Sequence, residues 1–194
     1  MPDALRDHAV SNLRYIRETM ERASAFTSIP GWGGVAIGVT ALLTTAVAEP
    51  MTAWNPRRWL AVWLIEAAVA AAIGAASMWQ KARRAETRFM SGAARRFFIS
   101  YFAPLIAGAV LTLAMLRGGA LDALPAMWLL LYGAAFVSSG AFSIRVIPMM
   151  GICFMLFGAG AALLPLSVAN LFLGAAFGGL HIVFGLIIAR NYGG

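Results

Sequence analysis

Apolar residues occur in six long blocks along this chain of 194 residues, and short polar connections separate the blocks. Each block approaches the ~20 residues that a helix needs to cross a hydrocarbon layer about 30 Å thick. This pattern predicts six membrane spans. They cover residues 30–48, 59–79, 98–116, 124–142, 146–166 and 169–189.

The spans are predicted to be helices rather than strands of a barrel. A membrane strand alternates apolar and polar residues over ~10 positions, whereas residues 60–76 are apolar on every face except at Glu66. Lipid offers no hydrogen-bond partners to the backbone, so such stretches must bond internally as helices. The expected fold class is therefore an all-α, polytopic membrane protein.

The positions of the basic residues predict the orientation, because Lys and Arg in short connections resist translocation. Of the 15 Lys and Arg residues, three fall on one side of the predicted spans: Arg57, Arg58 and Arg117. The other twelve fall on the side that holds both termini. We expect both termini in the cytoplasm and the chain in a bacterial inner membrane. The twelve are Arg6, Arg14, Arg17, Arg22, Lys81, Arg83, Arg84, Arg88, Arg95, Arg96, Arg145 and Arg190.

The net charge of +7 is explained by this asymmetry and does not indicate nucleic-acid binding. No groove-reading motif accompanies the basic residues, and they are segregated by membrane side. In the predicted loop 80–97, six basic residues accompany one acid, which favours contact with anionic lipid headgroups. The candidate headgroup ligands are Arg83, Arg84, Arg88, Arg95 and Arg96.

Residues 1–28 are predicted to form a cytoplasmic amphipathic helix, separate from the membrane domain 29–194. Between residues 4 and 27, apolar residues recur at steps of four and three. Two uses remain open: lying on the membrane surface or the chain's own loops, and pairing with a second copy or a cytoplasmic partner. The first is favoured because the stripe is thin for a coiled coil. Its residues are Ala9, Leu13, Ile16, Met20 and Ala23.

Two further features bear on the spans. Tryptophans near span ends, Trp32, Trp54, Trp59 and Trp79, are expected to anchor the chain at the membrane interface. Pro104 falls inside the third span, where it would leave a carbonyl of residues 98–100 without its helical donor.

Glu66 and His181 are the ionisable residues within the predicted hydrocarbon region, and they are the functional candidates. Glu66 lies about 10 Å from the outer end of its span at 1.5 Å per residue. The alternative is a purely structural role, in which a protonated Glu66 forms a hydrogen bond to a neighbouring helix. His181 is expected roughly 7 to 8 Å deeper, so whether the two residues share a site stays open.

The surroundings of His181 can also be predicted. Gly174, Gly178, His181 and Gly185 share one helix face, where small residues let another helix approach closely. His181 is therefore expected inside the bundle or at an oligomer contact. A structural hydrogen bond and a proton or ligand site are equally open for it. The glycine face also favours a homo-oligomer.

No motif supports an enzyme. The chain has one cysteine, Cys153, and two histidines, His8 and His181, so we expect no metal centre and no cofactor. Neither a phosphate-binding glycine loop nor a nucleophile elbow is present.

Gly151, Gly158, Pro165, Gly174 and Gly185 resemble the glycine and proline pattern of the HdeD-like membrane proteins, which are associated with acid resistance. The whole chain also resembles uncharacterised bacterial six-span proteins, most distinctively at residues 128–133 and 179–185. The resemblance implies a fold and no activity.

The functional expectation is transport, or ligand and proton handling, at an intramembrane site around Glu66, with His181 secondary. The alternative is a membrane-embedded sensor or adaptor that acts through the N-terminal helix and the basic loop. The sequence names no substrate.

Overall fold

The computed structural model describes residues 25–84 and 92–193, without the side chains of 53 and 54, together with positions 8, 12, 13 and 15. Within these residues the chain is helical, and the only bridge between extended residues joins Phe26 to Ser143. The helices are α1 (Gly31–Ala48), the short α2 (Met51–Trp54), α3 (Pro56–Arg84), α4 (Gly92–Gly118), a 3-10 turn (Leu121–Ala123), α5 (Leu124–Gly140), α6 (Val146–Ala161), α7 (Leu166–Leu173), a π-helical segment (Gly174–Leu180) and α8 (His181–Tyr192).

Five helical stretches are long and apolar enough to cross a membrane, at 18 to 29 residues each. They are α1, α3, α4, the stretch Leu121–Gly140, and the continuous stretch Leu166–Tyr192. The sixth apolar helix, α6, has 16 residues. The predicted fifth span, 146–166, thus extends too far, because the helix ends at Ala161 and the next helix begins at Leu166, with Pro165 as its N-cap. A residue that precedes proline is disfavoured in helical geometry, which stops α6 before Leu164.

Glycines bring two pairs of helices into close contact. A Cβ atom added to Gly38 of α1 would lie 2.6 Å from the carbonyl oxygen of Gly178 in the π segment. A Cβ atom on Gly133 of α5 would lie at the same distance from the carbonyl oxygen of Gly151 in α6. Such contacts are possible only where both helices present small residues.

The predicted packing glycines Gly174, Gly178 and Gly185 all face α1 of the same chain. An added Cβ would meet Thr45 at Gly174, Leu42 at Gly178 and Val35 at Gly185. The glycine face that suggested an oligomer is therefore occupied within the monomer, and the oligomer stays a prediction.

The helices α3 and α4 stand apart. The first packs on α1 and the second on α5, while α3 and α4 make almost no contact with each other in the described residues. They also bury the smallest shares of their apolar windows, 17% and 11%. A gap therefore runs along the bundle between them.

Pro104 lies inside α4, and a serine of the neighbouring helix compensates for it. Proline has no N–H, so the carbonyl of Ser100, four residues earlier, lacks its helical donor. The Ser138 hydroxyl of α5 donates to that carbonyl oxygen at 3.0 Å. This bond ties α4 to α5 and satisfies the acceptor within the protein.

Most of the predicted N-terminal amphipathic helix lies outside the described residues. Positions 8, 12, 13 and 15 are helical, and Leu13 is 66% exposed. The predicted extent of this helix to residue 28 is wrong at its C-terminal end, because residues 25–30 are not helical. There the Phe26 N–H donates to the Phe142 carbonyl at 2.8 Å, and the Phe26 ring is buried against Phe97. Pro30 disfavours helix at the residue before it.

The predicted headgroup ligands flank the undescribed part of the basic loop, which includes Arg88. Arg83, Arg84 and Arg95 are exposed. Arg83 lies over the Trp79 ring at 4.6 Å, and Arg96 over the Phe142 ring at 5.5 Å. These cations sit at the ends of α3 and α4 nearest the loop.

Candidate functional site

Glu66 is buried in α3, where its carboxyl group joins α3 to α1. The residue is 7% exposed. Its Oε1 accepts a hydrogen bond from the Thr40 hydroxyl at 2.8 Å, and its Oε2 accepts one from the Thr44 hydroxyl at 3.1 Å. The two threonines are four residues apart and so lie on the same face of α1.

These partners can satisfy Glu66 in either protonation state. The Thr40 hydroxyl has one hydrogen, yet its oxygen lies 2.8 Å from Glu66 and 2.9 Å from the Ile37 carbonyl oxygen. An ionised Glu66 accepts from both threonines. A protonated Glu66 donates to Thr40, which then donates to Ile37. Neither arrangement leaves the Glu66 carboxyl group or the two threonine hydroxyls without a hydrogen bond.

His181 makes two hydrogen bonds inside the bundle. Its Nδ1 lies 2.9 Å from the Phe177 carbonyl oxygen, which can only accept, so Nδ1 carries the proton and donates. In the neutral imidazole, Nε2 then accepts from the Tyr132 hydroxyl, also at 2.9 Å. We assign the tautomer from this network. The side chain is 4% exposed.

Aromatic rings surround this histidine on several sides. The Phe154 and Tyr132 ring centroids lie 5.4 and 5.6 Å from the His181 ring centroid. Phe177 stacks on the imidazole at 6.2 Å. Phe177 belongs to the π segment directly before His181, and π-helical insertions often occur at functional sites.

Glu66 and His181 line one cavity of about 620 Å³, which occupies the gap between α3 and α4. They form no hydrogen bond with each other, since each bonds to the partners described above. The two residues thus line the same cavity, and a shared functional site stays a prediction. The α3 wall is formed mainly by small residues: Ala67, Ala70, Ala71, Gly74 and Ala75.

The cavity lining carries few polar groups. Among the described lining residues, the side chains that can titrate are those of Glu66, His181, Tyr101 and Tyr132, and no Lys, Arg or Asp is present. Among the other described lining side chains, those that carry a polar group are Thr112, Trp63 and Trp128. Trp128 donates its indole N–H to Thr112 at 2.8 Å. The site thus combines one carboxyl group with an apolar interior.

A second buried polar cluster, centred on Asn170, was not predicted. Its Oδ1 accepts from the indole N–H groups of Trp59 at 2.8 Å and Trp63 at 3.0 Å. Its Nδ2 donates to Glu49 Oε2 at 2.6 Å. The interfacial role predicted for Trp59 is therefore wrong, because its ring is fully buried and bonds inside the bundle. A single amide side chain within an apolar stretch is the sequence signal for such an interhelical hydrogen-bond cluster.

Lys81 closes the opposite end of the bundle. Its Nζ donates to the carbonyl oxygens of Ile29, Tyr192 and Gly193, at 2.9, 2.9 and 2.6 Å. A cation at the C-terminus of a helix satisfies carbonyls that have no intrahelical donor. Lys81 therefore links α3, the start of α1 and the end of α8.

The chain matches no protein-family model, and no curated protein or solved structure is significantly similar to it. The resemblance to HdeD-like proteins stays a prediction. Among the described residues, no three His, Cys, Asp or Glu side chains come together as metal ligands would.

Proposed function

We propose that this chain is a six-span protein of a bacterial inner membrane, and that it transports or otherwise handles a ligand or protons in the cavity around Glu66. The cavity carries the proposal, since Glu66 and His181 both line it. An ionisable group within a membrane span is costly to keep unless it serves a function or is fully paired.

Charge at the helix ends supports the proposed orientation. The first turn of α3 contains Arg57 and Arg58 and its last turn Arg83 and Arg84, while the last turn of α4 contains Arg117. The end of the bundle that holds Lys81 also holds the end of α8. We place that end, with both termini, in the cytoplasm, in keeping with the excess of basic residues there.

The proposed sixth span is α6. Its 16 residues extend about 24 Å at 1.5 Å per residue, a little less than the hydrocarbon layer. The apolar residues Ala162, Leu163 and Leu164 continue the stretch beyond the helix. Leu163 is 87% exposed, which suits contact with lipid.

In this proposal Glu66 is the group that binds and releases a proton. Thr40 and Thr44 stabilise its charged form by donating to it, and Thr40 turns to the Ile37 carbonyl when Glu66 is protonated. His181 is secondary. Its neutral form accepts from Tyr132 and keeps that hydroxyl fixed at the cavity wall.

The test is flux across liposomes that contain the purified chain. Proton and small-solute movement is followed against pH for the wild type, Glu66→Gln and His181→Ala. The control is Asp122→Asn, which makes the same carboxyl-to-amide change at an exposed position. We expect flux to be lost in Glu66→Gln and kept in Asp122→Asn. Equal flux in Glu66→Gln and the wild type would contradict the proposal.

A second candidate function is a membrane-embedded sensor or adaptor with a cytoplasmic protein partner. The observation in its favour is Leu13, a residue of the predicted apolar stripe, which is 66% exposed. In this case no variant shows flux, and Leu13→Asp weakens capture of a cytoplasmic partner while Asn12→Asp does not. Flux that depends on Glu66 would rule against this function as the main one.

A further inference from the structure

We propose that the cavity binds a lipophilic monocation, which enters sideways from the bilayer between α3 and α4 and exchanges with the proton on Glu66. The ligand class is a molecule with an apolar or aromatic body and one cationic centre, such as a hydrophobic amine or a quaternary ammonium. This inference rests on the proposed function, because it names the ligand of the same site.

The size and shape of the cavity suit such a molecule. Pockets for small organic ligands usually enclose roughly 300–1,000 Å³, and this one encloses about 620 Å³. Along α3 its lining runs from Trp63 to Met78, which is about 22 Å at 1.5 Å per residue. The cavity therefore extends along the bundle and has room for an apolar body beside Glu66.

The charge of the lining selects the sign of the ligand. Glu66 is the only carboxyl group among the described lining residues, and no Lys or Arg is there to pair with an anion. A cation would meet the carboxylate and the faces of aromatic rings, which attract positive charge. The lining rings include Trp63, Tyr101, Phe102 and Trp128.

Exchange with a proton keeps the site electrically neutral. The protonated carboxyl group releases one H⁺, and the carboxylate that remains pairs with one monocation. The buried charge is therefore balanced before and after binding, whereas an unpaired charge would be costly in this environment. The threonine bonds are satisfied in both states, as described for Thr40 and Thr44.

Groups on every neighbouring helix bear on the pH dependence. The α1 groups that face Glu66 are the Thr40 and Thr44 hydroxyls, which do not titrate in the usual range. The lining contributes Tyr101 from α4, Tyr132 from α5 and His181 from α8. The imidazole is occupied by Tyr132 and Phe177, which leaves Glu66 as the proton donor for exchange. Because the proton and the cation compete, binding should strengthen as the pH rises.

The small side chains of α3 provide the entrance. Ala67 and Ala71 are exposed and also line the cavity. With α3 and α4 hardly in contact, a molecule dissolved in the hydrocarbon layer reaches Glu66 without passing a polar loop.

The experiment compares two ions of the same shape and opposite charge, tetraphenylphosphonium and tetraphenylborate. Each is titrated into the full chain in nanodiscs of zwitterionic lipid, with empty nanodiscs subtracted. We expect the phosphonium to bind at least ten times more tightly than the borate, to release about one proton, and to bind more tightly at higher pH. Equal affinity for the two ions, or phosphonium binding without proton release, would overturn the inference.

Variants test the residue and the route. Glu66→Gln should weaken phosphonium binding at least tenfold, and the exposed control Asp122→Asn should not. Ala71→Phe should also weaken it, because the ring would fill the entrance, whereas Ala72→Phe places the same ring on an exposed position outside the lining. Unchanged binding in Glu66→Gln would overturn the ligand assignment, and equal effects at residues 71 and 72 would overturn the route. The comparison of the two ions on the wild-type chain needs no variant to fold.

The outcomes separate this inference from the proposed function. Proton flux that requires Glu66, with no preference for the phosphonium, would reject the ligand class and leave the proposed function standing. Selective phosphonium binding with proton release but no flux would support the ligand class and reject transport.

Discussion

Replacing Asn170 with leucine should destabilise the protein, because it removes the shared acceptor of two buried indole groups. Asn170 is fully buried, and its side chain joins α7 to α3 and α1 through Trp59, Trp63 and Glu49. The variant Asn170→Leu leaves two buried indole N–H groups without an acceptor. Each unsatisfied buried donor costs about 1–3 kcal/mol, so the two together should cost about 2–6 kcal/mol of unfolding free energy. The indole N–H groups also find acceptors in the unfolded state, so the loss of unfolding free energy should fall toward the lower end of this range.

The assay is reversible unfolding in mixed detergent micelles, followed by helical circular dichroism. The variant Asn170→Leu is compared with Asn170→Leu combined with Trp59→Phe and Trp63→Phe. Removing both indoles removes the unsatisfied donors, so the triple variant should regain part of the loss despite its smaller rings. The reasoning is wrong if Asn170→Leu unfolds within about 0.5 kcal/mol of the wild type, which is the usual range for neutral surface changes.

Three further changes test other parts of the structure. Gly38→Ala should cost about 1–3 kcal/mol of stability, because its Cβ would lie 2.6 Å from the Gly178 carbonyl oxygen. The control Gly179→Ala, which has open space around it, should not destabilise the protein. Equal unfolding midpoints for the two variants would refute this. Lys81→Met should cost about 1 kcal/mol and speed hydrogen exchange at the C-terminal end of α8, since three carbonyls lose their partly exposed donor; unchanged exchange there would contradict it. Thr40→Val should lower proton flux at neutral pH about tenfold, the equivalent of one charge-assisted hydrogen bond. The control Thr45→Val should leave flux unchanged, because the Thr45 hydroxyl donates only to the Ala41 carbonyl of its own helix; equal flux in Thr40→Val and Thr45→Val would refute this.

The long apolar helices were predictable because a membrane span needs a fixed number of apolar residues, and that number is visible in the sequence. Pattern alone did not locate the ends that tertiary contacts decide. Phe26 leaves helical geometry to pack against Phe97, and α6 stops short of the residue before Pro165.

The candidate site was predictable only in part. Glu66 and His181 stood out because ionisable residues are rare in apolar stretches. Their partners did not, since Thr40, Thr44 and Tyr132 are common residues whose importance depends on which helices are neighbours. The same holds for Asn170, which meets Trp59 across more than a hundred residues of sequence.

The gap between α3 and α4 also had no signal in the sequence. Alanines such as Ala67 and Ala71 suit close helix packing as well as they suit a cavity wall. Only the arrangement of the neighbouring helices shows that these residues line a cavity.

The central claim is that Glu66 binds and releases a proton inside the bundle. Infrared difference spectroscopy of the purified chain tests this most directly, by recording the carbonyl band of a protonated carboxyl group as the pH is raised. The account predicts a band that disappears on raising the pH and on adding tetraphenylphosphonium, and that is absent from Glu66→Gln. A Glu66 band that persists unchanged under both conditions would contradict it and identify Glu66 as a permanently protonated structural bond between α3 and α1.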